Sequence, residues 1–436
     1  MSVDHLQWAK DHPFVCPAPF DSLSIRANYN KNSSLEYSCC CNFKIKDYQE
    51  FDRESSLFQA LKEKMISGQS HKSCHECYRL EQQGLFSERL RYWLAYDSEK
   101  FTNLTKNWHN DCFEIKIKFS NLCPLSCRSC SADESSTYSK ITGISTSFKH
   151  IEIDISEHRD HWQTIQKIIT DAHKTYRRPI LHLIGGEALI QPGSIKLLQW
   201  MEENSLSDKF NFNLTTSLAV NLKDKFLGLI EHFQHVCFSL SIDSVGNNYH
   251  YVRWPAKFDK VLLNLEKLIK TRSKLDSSYI FTPVFSLNNV FYIEEYLNFF
   301  QNWCKEKNFY IPINNLHLHS PDHLQIEILP EKYRQDLISI FEKCIEHPWS
   351  KHSQQDGFKF FLISSLEHLR QSSGDEALFQ KFLKFTAEFD VRTQTSFKEF
   401  NSKLYNLLSS DHLEIYESQY QSFENFYNKK KHNLCY

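Results

Sequence analysis

The 436-residue chain has no run of about 18 apolar residues, so it offers no segment that would span a bilayer as a helix. Its first residues, Met1-Ser-Val-Asp-His-Leu-Gln-Trp8, lack a basic stretch followed by an apolar one, the pattern of a secretory leader. Charge of one sign is lacking too. Lys+Arg 51 against Asp+Glu 53 gives a formal net charge of -2, which argues against a broad electrostatic surface for nucleic acid or anionic membrane. These absences predict a cytoplasmic protein without a membrane or nucleic-acid partner. Glycine is scarce, with 10 in the chain, and only Gly185 and Gly186 are adjacent, so the position of that pair carries information.

Cysteine is not scarce. The chain has 14, and they gather in local arrays, which suits metal binding in a reducing compartment better than a disulfide scaffold. Cys237, Cys304, Cys344 and Cys435 stand apart and read as buried or incidental thiols. The densest motif is Cys123, Cys127 and Cys130, a CxxxCxxC array directly after a stretch of strict alternation, Phe113, Glu114, Ile115, Lys116, Ile117, Lys118, Phe119. Such a strand buries one face and leaves the other solvated or paired. The cysteines then sit at its carboxyl end, where open α/β folds place ligands. Three soft thiolates on one loop suit an iron-sulfur cluster or zinc, and they leave a fourth position open. A structural zinc site closes at four protein ligands, so the count favours chemistry over a zinc loop completed by a distant cysteine or histidine.

A second cysteine set precedes this loop: Cys16, the triplet Cys39-Cys40-Cys41, and Cys74 and Cys77 as CxxC. Leu23, Ile25 and Ala27 alternate, a polar turn over residues 28 to 34 follows, and Leu35 and Tyr37 alternate again, which predicts a hairpin returning the triplet towards Cys16. Leu57, Phe58, Leu61 and Met65 have helical spacing, with Gly68 as the stop. One cysteine from each of the first two groups, with Cys74 and Cys77, makes a closed four-thiolate site for zinc or a cluster.

From Phe113 onwards strands alternate with helices. The predicted strands are Phe113 to Phe119, Ile180 to Ile184, Phe210 to Leu214, Val236 to Ile242, Tyr279 to Phe285 and Asn314 to His319. Amphipathic helical patterns lie between them, for example Trp162, Ile165, Ile168 and Ile169. Alternation of this kind predicts a parallel sheet with right-handed crossovers. Eight such units close a barrel, and six before Pro330 predict a partial barrel with an open side. Beyond Pro330 the periodicity is helical, and its simplest reading is a cap on the barrel.

The second predicted strand ends in Gly185-Gly186-Glu187, where glycines admit close backbone approach and the carboxylate can accept hydrogen bonds from an amine. Thr215-Thr216-Ser217, Ser241, Asp243 and Arg253 fall near the ends of later strands. Together these motifs resemble the radical S-adenosylmethionine (radical SAM) superfamily, in a form with a SPASM or twitch-type auxiliary cluster domain N-terminal to the barrel. The resemblance implies an α/β fold: a partial (β/α)6 radical SAM barrel over 111–330, a small α+β cluster-binding domain over 1–110 and a helical C-terminal extension over 331–436. It implies that Cys123, Cys127 and Cys130 bind a 4Fe-4S cluster whose open iron is chelated by SAM. Gly185, Gly186 and Glu187 look like the segment receiving the SAM amino group, and Thr216, Ser241 and Arg253 look like positions that touch its ribose and carboxylate. Cys16, Cys39 or Cys40, Cys74 and Cys77 resemble ligands of an auxiliary 4Fe-4S cluster, as the run Cys74-His-Glu-Cys-Tyr-Arg-Leu-Glu81 with Gly84, Ser87 and Arg89 is similar to that group, and so is Phe385-Thr-Ala-Glu-Phe-Asp-Val-Arg392. Pro124, Ser129, Ala188 and Thr216 depart from commoner family residues.

In that family reductive cleavage of SAM yields a 5′-deoxyadenosyl radical that abstracts hydrogen from substrate. The resemblance therefore implies an enzyme, an electron donor such as flavodoxin or ferredoxin, and oxidative modification of a peptide or protein with electron transfer to the auxiliary cluster. A carbohydrate or small metabolite is the alternative substrate, and a zinc-stapled binding protein the alternative class.

Overall fold

A computed structural model describes residues 9–28, 34–40, 45–48, 56–94, 112–144, 155–315, 318, 320–351 and 356–433. Cys41, Cys435, the turn over 29–33, the first eight residues and part of the predicted strand 314–319 lie outside them.

One eight-stranded sheet organises the chain. Its strands are β1 (Ser22–Asn28), β2 (Ser34–Ser38), β3 (Ile45–Tyr48), β4 (Cys112–Lys118), β5 (Arg178–Leu183), β6 (Asn211–Thr216), β7 (Val236–Leu240) and β8 (Ser277–Phe281). Their order across the sheet is β8-β7-β6-β5-β4-β1-β2-β3. From β8 to β1 every neighbouring pair is parallel, while β1-β2 and β2-β3 are antiparallel. Five of the predicted strands thus run as expected, each after a helix that returns the chain. Ahead of the sixth, which the described residues cover only in part, Ile313 forms a parallel bridge with Phe281.

The predicted hairpin before the cysteine triplet forms as β1 and β2. It does not stand apart, because β1 pairs alongside β4 in register Leu23 to Ile115 and Ile25 to Ile117. The apolar alternation of β1 and β4 therefore feeds one core with Leu181, Leu183, Phe212, Leu214, Val236 and Phe238. Sheet continuity crosses residue 110, the boundary expected between the first two units.

The helix Ser56–Ile66 ends at Gly68, whose φ of +69 suits a left-handed stop. After the sheet the chain is helical, with Arg334–Glu346, Asp356–Gln371, Glu376–Thr393 and Ser410–Asn433. The periodicity from Phe397 to Leu408 belongs to two short helices, Phe397–Phe400 and Ser402–Tyr405, because the chain turns at Asn401, whose buried amide donates to the Leu287 carbonyl at 3.1 Å.

Candidate functional site

The cysteine loop begins one turn beyond β4 and is fixed almost entirely through its backbone. The Cys123 N–H donates to Ser136 Oγ at 3.2 Å, and Thr137 Oγ1 donates to the Cys123 carbonyl at 2.6 Å. Ser126 and Cys127 pair antiparallel with Trp254 and Arg253. The Arg128 N–H donates to the Val252 carbonyl at 3.0 Å, and the Cys130 N–H to the Cys127 carbonyl at 3.0 Å. With the backbone committed, the three side chains are left as thiols: Cys127 buried, Cys123 and Cys130 half-buried, and no disulfide joins the described cysteines.

Burial pushes the Cys123 thiol up to about 12, with the Cys127 charge adding to the rise, and the Cys127 thiol up to about 11 despite the opposing Arg253 guanidinium. Cys130 is driven up by burial and by both other thiols. The three stand within one another's electrostatic field, so only a strongly electropositive centre would convert them all to thiolates. Among the described residues no three His, Cys, Asp or Glu side chains converge on a point that would hold a single metal ion.

The glycine pair abuts this loop. Gly185 and Gly186 have φ of +80 and +47. A Cβ on Gly186 would collide with the Leu122 carbonyl, and one on Gly185 with the Lys118 side chain, so both positions require glycine. The Glu187 N–H then donates to the Leu122 carbonyl at 2.9 Å, and Gln191 Nε2 donates to the carbonyls of Ser120 (3.0 Å) and Gly185 (2.6 Å). Two motifs separated by about sixty residues are thereby locked into one turn-on-loop contact.

Glu187 is buried. Its Oε1 accepts from Thr216 Oγ1 at 2.8 Å, and its Oε2 from the Ser217 N–H at 3.0 Å and Ser217 Oγ at 2.6 Å. The Leu189 backbone also acts on this carboxylate as a hydrogen-bond donor. Burial raises its pKa, and the bonds from Ser217 and Thr216 only partly oppose it. The Thr216 hydroxyl is thus committed to Glu187, and the Ser241 N–H donates to the Thr216 carbonyl at 2.9 Å. Arg253 Nε donates to Asp243 Oδ2 at 2.7 Å, and its Nη1 lies 3.9 Å from Cys127 Sγ. Tyr249, in the field of Arg253, Cys127, Asp243 and Glu187, has a buried hydroxyl that makes no hydrogen bond among the described residues. An orphaned donor beside a buried carboxylate and a guanidinium fits a polar, zwitterionic ligand.

Arg128 was not singled out by sequence reasoning. It is 1% exposed and pairs with Asp390, itself fully enclosed, on the helix Glu376–Thr393. Its guanidinium lies 3.6 Å from the Tyr251 ring centroid and 4.8 Å from that of Phe389. Asp390 also accepts from Thr395 Oγ1 at 2.8 Å, the Phe397 N–H at 2.8 Å and Tyr416 OH at 2.8 Å. A cation inside the motif at Arg128 and an anion inside Phe385–Arg392 were the signals available.

The second cysteine set is also drawn together. Cys16, Cys39, Cys40 and Cys74 share one small cluster with Phe20, Leu61 and Met65. Burial pushes Cys77 up to about 12 and Cys74 up to about 11, and Cys40 contributes to the rise of Cys16, Cys39, Cys74 and Cys77 alike. Buried Arg89 holds the surrounding chain, donating to the carbonyls of Ala9 (3.1 Å), His12 (3.1 Å) and Val15 (3.0 Å) and pairing with Glu81.

Neither a protein-family model nor a curated protein matches the chain. Among solved structures it is similar to native anSMEcpe with bound AdoMet, at 16% identity and a TM-score of 0.38 over 53% of this chain and 60% of that one. It is similar to native anSMEcpe with bound AdoMet and Cp18Cys peptide at 17% identity and a TM-score of 0.36, with the same coverage. Streptococcus suis SuiB bound to S-adenosylmethionine matches at 14% identity and a TM-score of 0.34, over 70% of this chain and 53% of that one. The chain therefore spans about three-fifths or less of these proteins. Likenesses so distant carry no argument about chemistry, which rests on the residues themselves.

Proposed function

We propose that this protein is a radical SAM enzyme that oxidatively modifies a peptide or protein. The observation that carries the reading is the seating of a three-thiol loop at the carboxyl edge of a parallel sheet, with the Gly185-Gly186-Glu187 turn packed onto its backbone. Cys123, Cys127 and Cys130 would hold a 4Fe-4S cluster with one iron left for SAM. Glu187 would receive the SAM ammonium, with Thr216 and Ser217 fixing the carboxylate. Gly185 and Gly186 let the turn pack directly onto the cysteine loop, and Arg253, steadied by Asp243, and Ser241 would face the ligand's carboxylate and ribose. Bound together, cluster and SAM supply one-electron cleavage chemistry that ends in hydrogen abstraction from substrate.

Cys16, Cys74 and Cys77, with Cys39 or Cys40 from the triplet, would hold the auxiliary 4Fe-4S cluster. Electrons would come from a flavodoxin- or ferredoxin-type donor. Protein purified and reconstituted without oxygen should contain about eight irons per chain, from two four-iron clusters, and release 5′-deoxyadenosine from SAM on reduction. Stoichiometric zinc without iron would overturn the reading.

A further inference from the structure

A parallel sheet is ordinarily covered by apolar side chains on both faces. Here one face is apolar and the other is not. The register sets Lys116, His182, Asn213, Cys237 and Ser278 side by side across five strands, with Glu114 one step below and Thr215 one step above. Three members are partly open, with Glu114 20% and Lys116 and His182 each 14% exposed. Burying ions this far costs several kcal/mol each, and apolar residues would serve the fold at least as well.

Within the row lies a directional chain. His182 Nδ1 is 2.7 Å from Glu114 Oε1, and His182 Nε2 is 2.8 Å from Thr215 Oγ1. Glu114 Oε2 meets Lys116 Nζ at 3.1 Å, and Lys116 in turn reaches Tyr92 OH at 2.9 Å. The charged carboxylate can only accept, so His182 Nδ1 carries a proton, and in the neutral ring Nε2 can only accept the Thr215 hydroxyl. The groups facing this chain from other elements are Asn213, 3.4 Å from Glu114, Cys237 in the field of Glu114, and Tyr92, Arg91 and Glu88 on the helix Glu88–Leu94. Along the same face Lys118 runs up beneath Gly185 and pairs with Glu134, so the row leads to the cysteine loop.

We propose that Glu114, His182 and Thr215 form a substrate-hydroxyl site, in which His182 Nε2 releases Thr215 and accepts the O–H of an alcohol-bearing side chain. When that O–H bond breaks, the proton passes to Nε2, and the imidazolium is held between the new oxyanion and Glu114; no electron moves in this step. Glu114 and Lys116 are positioning residues, and His182 touches the substrate. The proposal rests on the peptide-modifying reading for its substrate but not for its test.

The test uses the full chain with its clusters, under anaerobic conditions, and follows carbethoxylation of His182 by diethyl pyrocarbonate with peptide mass spectrometry. N-acetylthreoninamide should slow labelling of His182 at least threefold, while isosteric N-acetylvalinamide and the exposed control His232 should show no such change. Thr215→Val should raise His182 labelling several-fold by freeing Nε2. Equal protection by both amides, or protection by neither, overturns the hydroxyl site, as does a Thr215→Val rate equal to wild type. Iron content and SAM cleavage in the same preparation report separately on the enzyme class.

Discussion

Burial alone would drive the Glu187 carboxyl towards its neutral form, and three hydrogen bonds from Thr216 and Ser217 do not fully reverse that. An arriving ammonium supplies the missing charge. A charge-assisted hydrogen bond of this kind contributes about 1.5–3 kcal/mol. Glu187→Gln should therefore weaken SAM binding roughly tenfold to hundredfold while iron content stays at the wild-type level, measured by anaerobic titration. Unchanged affinity with intact clusters would make the turn purely structural. Glu114 behaves oppositely. Burial would raise its carboxyl, but the Lys116 ammonium and the bond from His182 outweigh burial and hold it well below its ordinary value of 4.5. A depressed folded-state value means the stabilisation is complete above pH 4.5 and is lost as pH falls from there towards the folded value. Wild type should accordingly lose stability more steeply below pH 4.5 than Glu114→Gln, in which this contribution is missing and that limb of the curve is flatter. Identical acid limbs in denaturant melts would contradict the assignment.

The helix Glu376–Thr393 is a wall of the cysteine loop as well as a cap, because Asp390 closes on Arg128 from within the motif. Removing one partner of a buried pair leaves the other charge stranded, so Asp390→Asn should cost about 3–5 kcal/mol of stability in denaturant unfolding. A loss below ~1 kcal/mol would show the pair to be incidental. How much of this was legible in the sequence differs by element. The strict alternation of Phe113 to Phe119 announced one buried and one paired face, and the structure supplies the partners, Glu114 with His182 and Lys118 with Glu134. The glycine pair was legible because successive positive φ values at Gly185 and Gly186 suit glycine, and the CxxxCxxC motif because its spacing sets three thiols on one loop. Their contact through Leu122 was not, since it depends on how two strand ends meet. Arg128 with Asp390 lay 262 positions apart, and periodicity says nothing about pairs so remote. Of the strand expected over 314–319, residues 316, 317 and 319 lie outside the described residues, and pairing with β8 is seen just before it, at the bridge between Phe281 and Ile313.

At the scale of the whole molecule the two cysteine sets belong to one framework. Strand β1 leads from Cys16 and β2 leads to Cys39, while β4 leads to Cys123, and β1 and β4 are hydrogen-bonded neighbours. A shared sheet holds both sets without requiring that either depend on the other for its fold, so their roles should separate by substitution. The decisive measurement compares Cys127→Ala with Cys77→Ala, anaerobically reconstituted, for iron content and for 5′-deoxyadenosine formed from SAM under reduction. The account predicts that each variant retains about four irons per chain, that Cys127→Ala forms no 5′-deoxyadenosine, and that Cys77→Ala still forms it. Retention of SAM cleavage by Cys127→Ala, with its fold intact, would contradict the account.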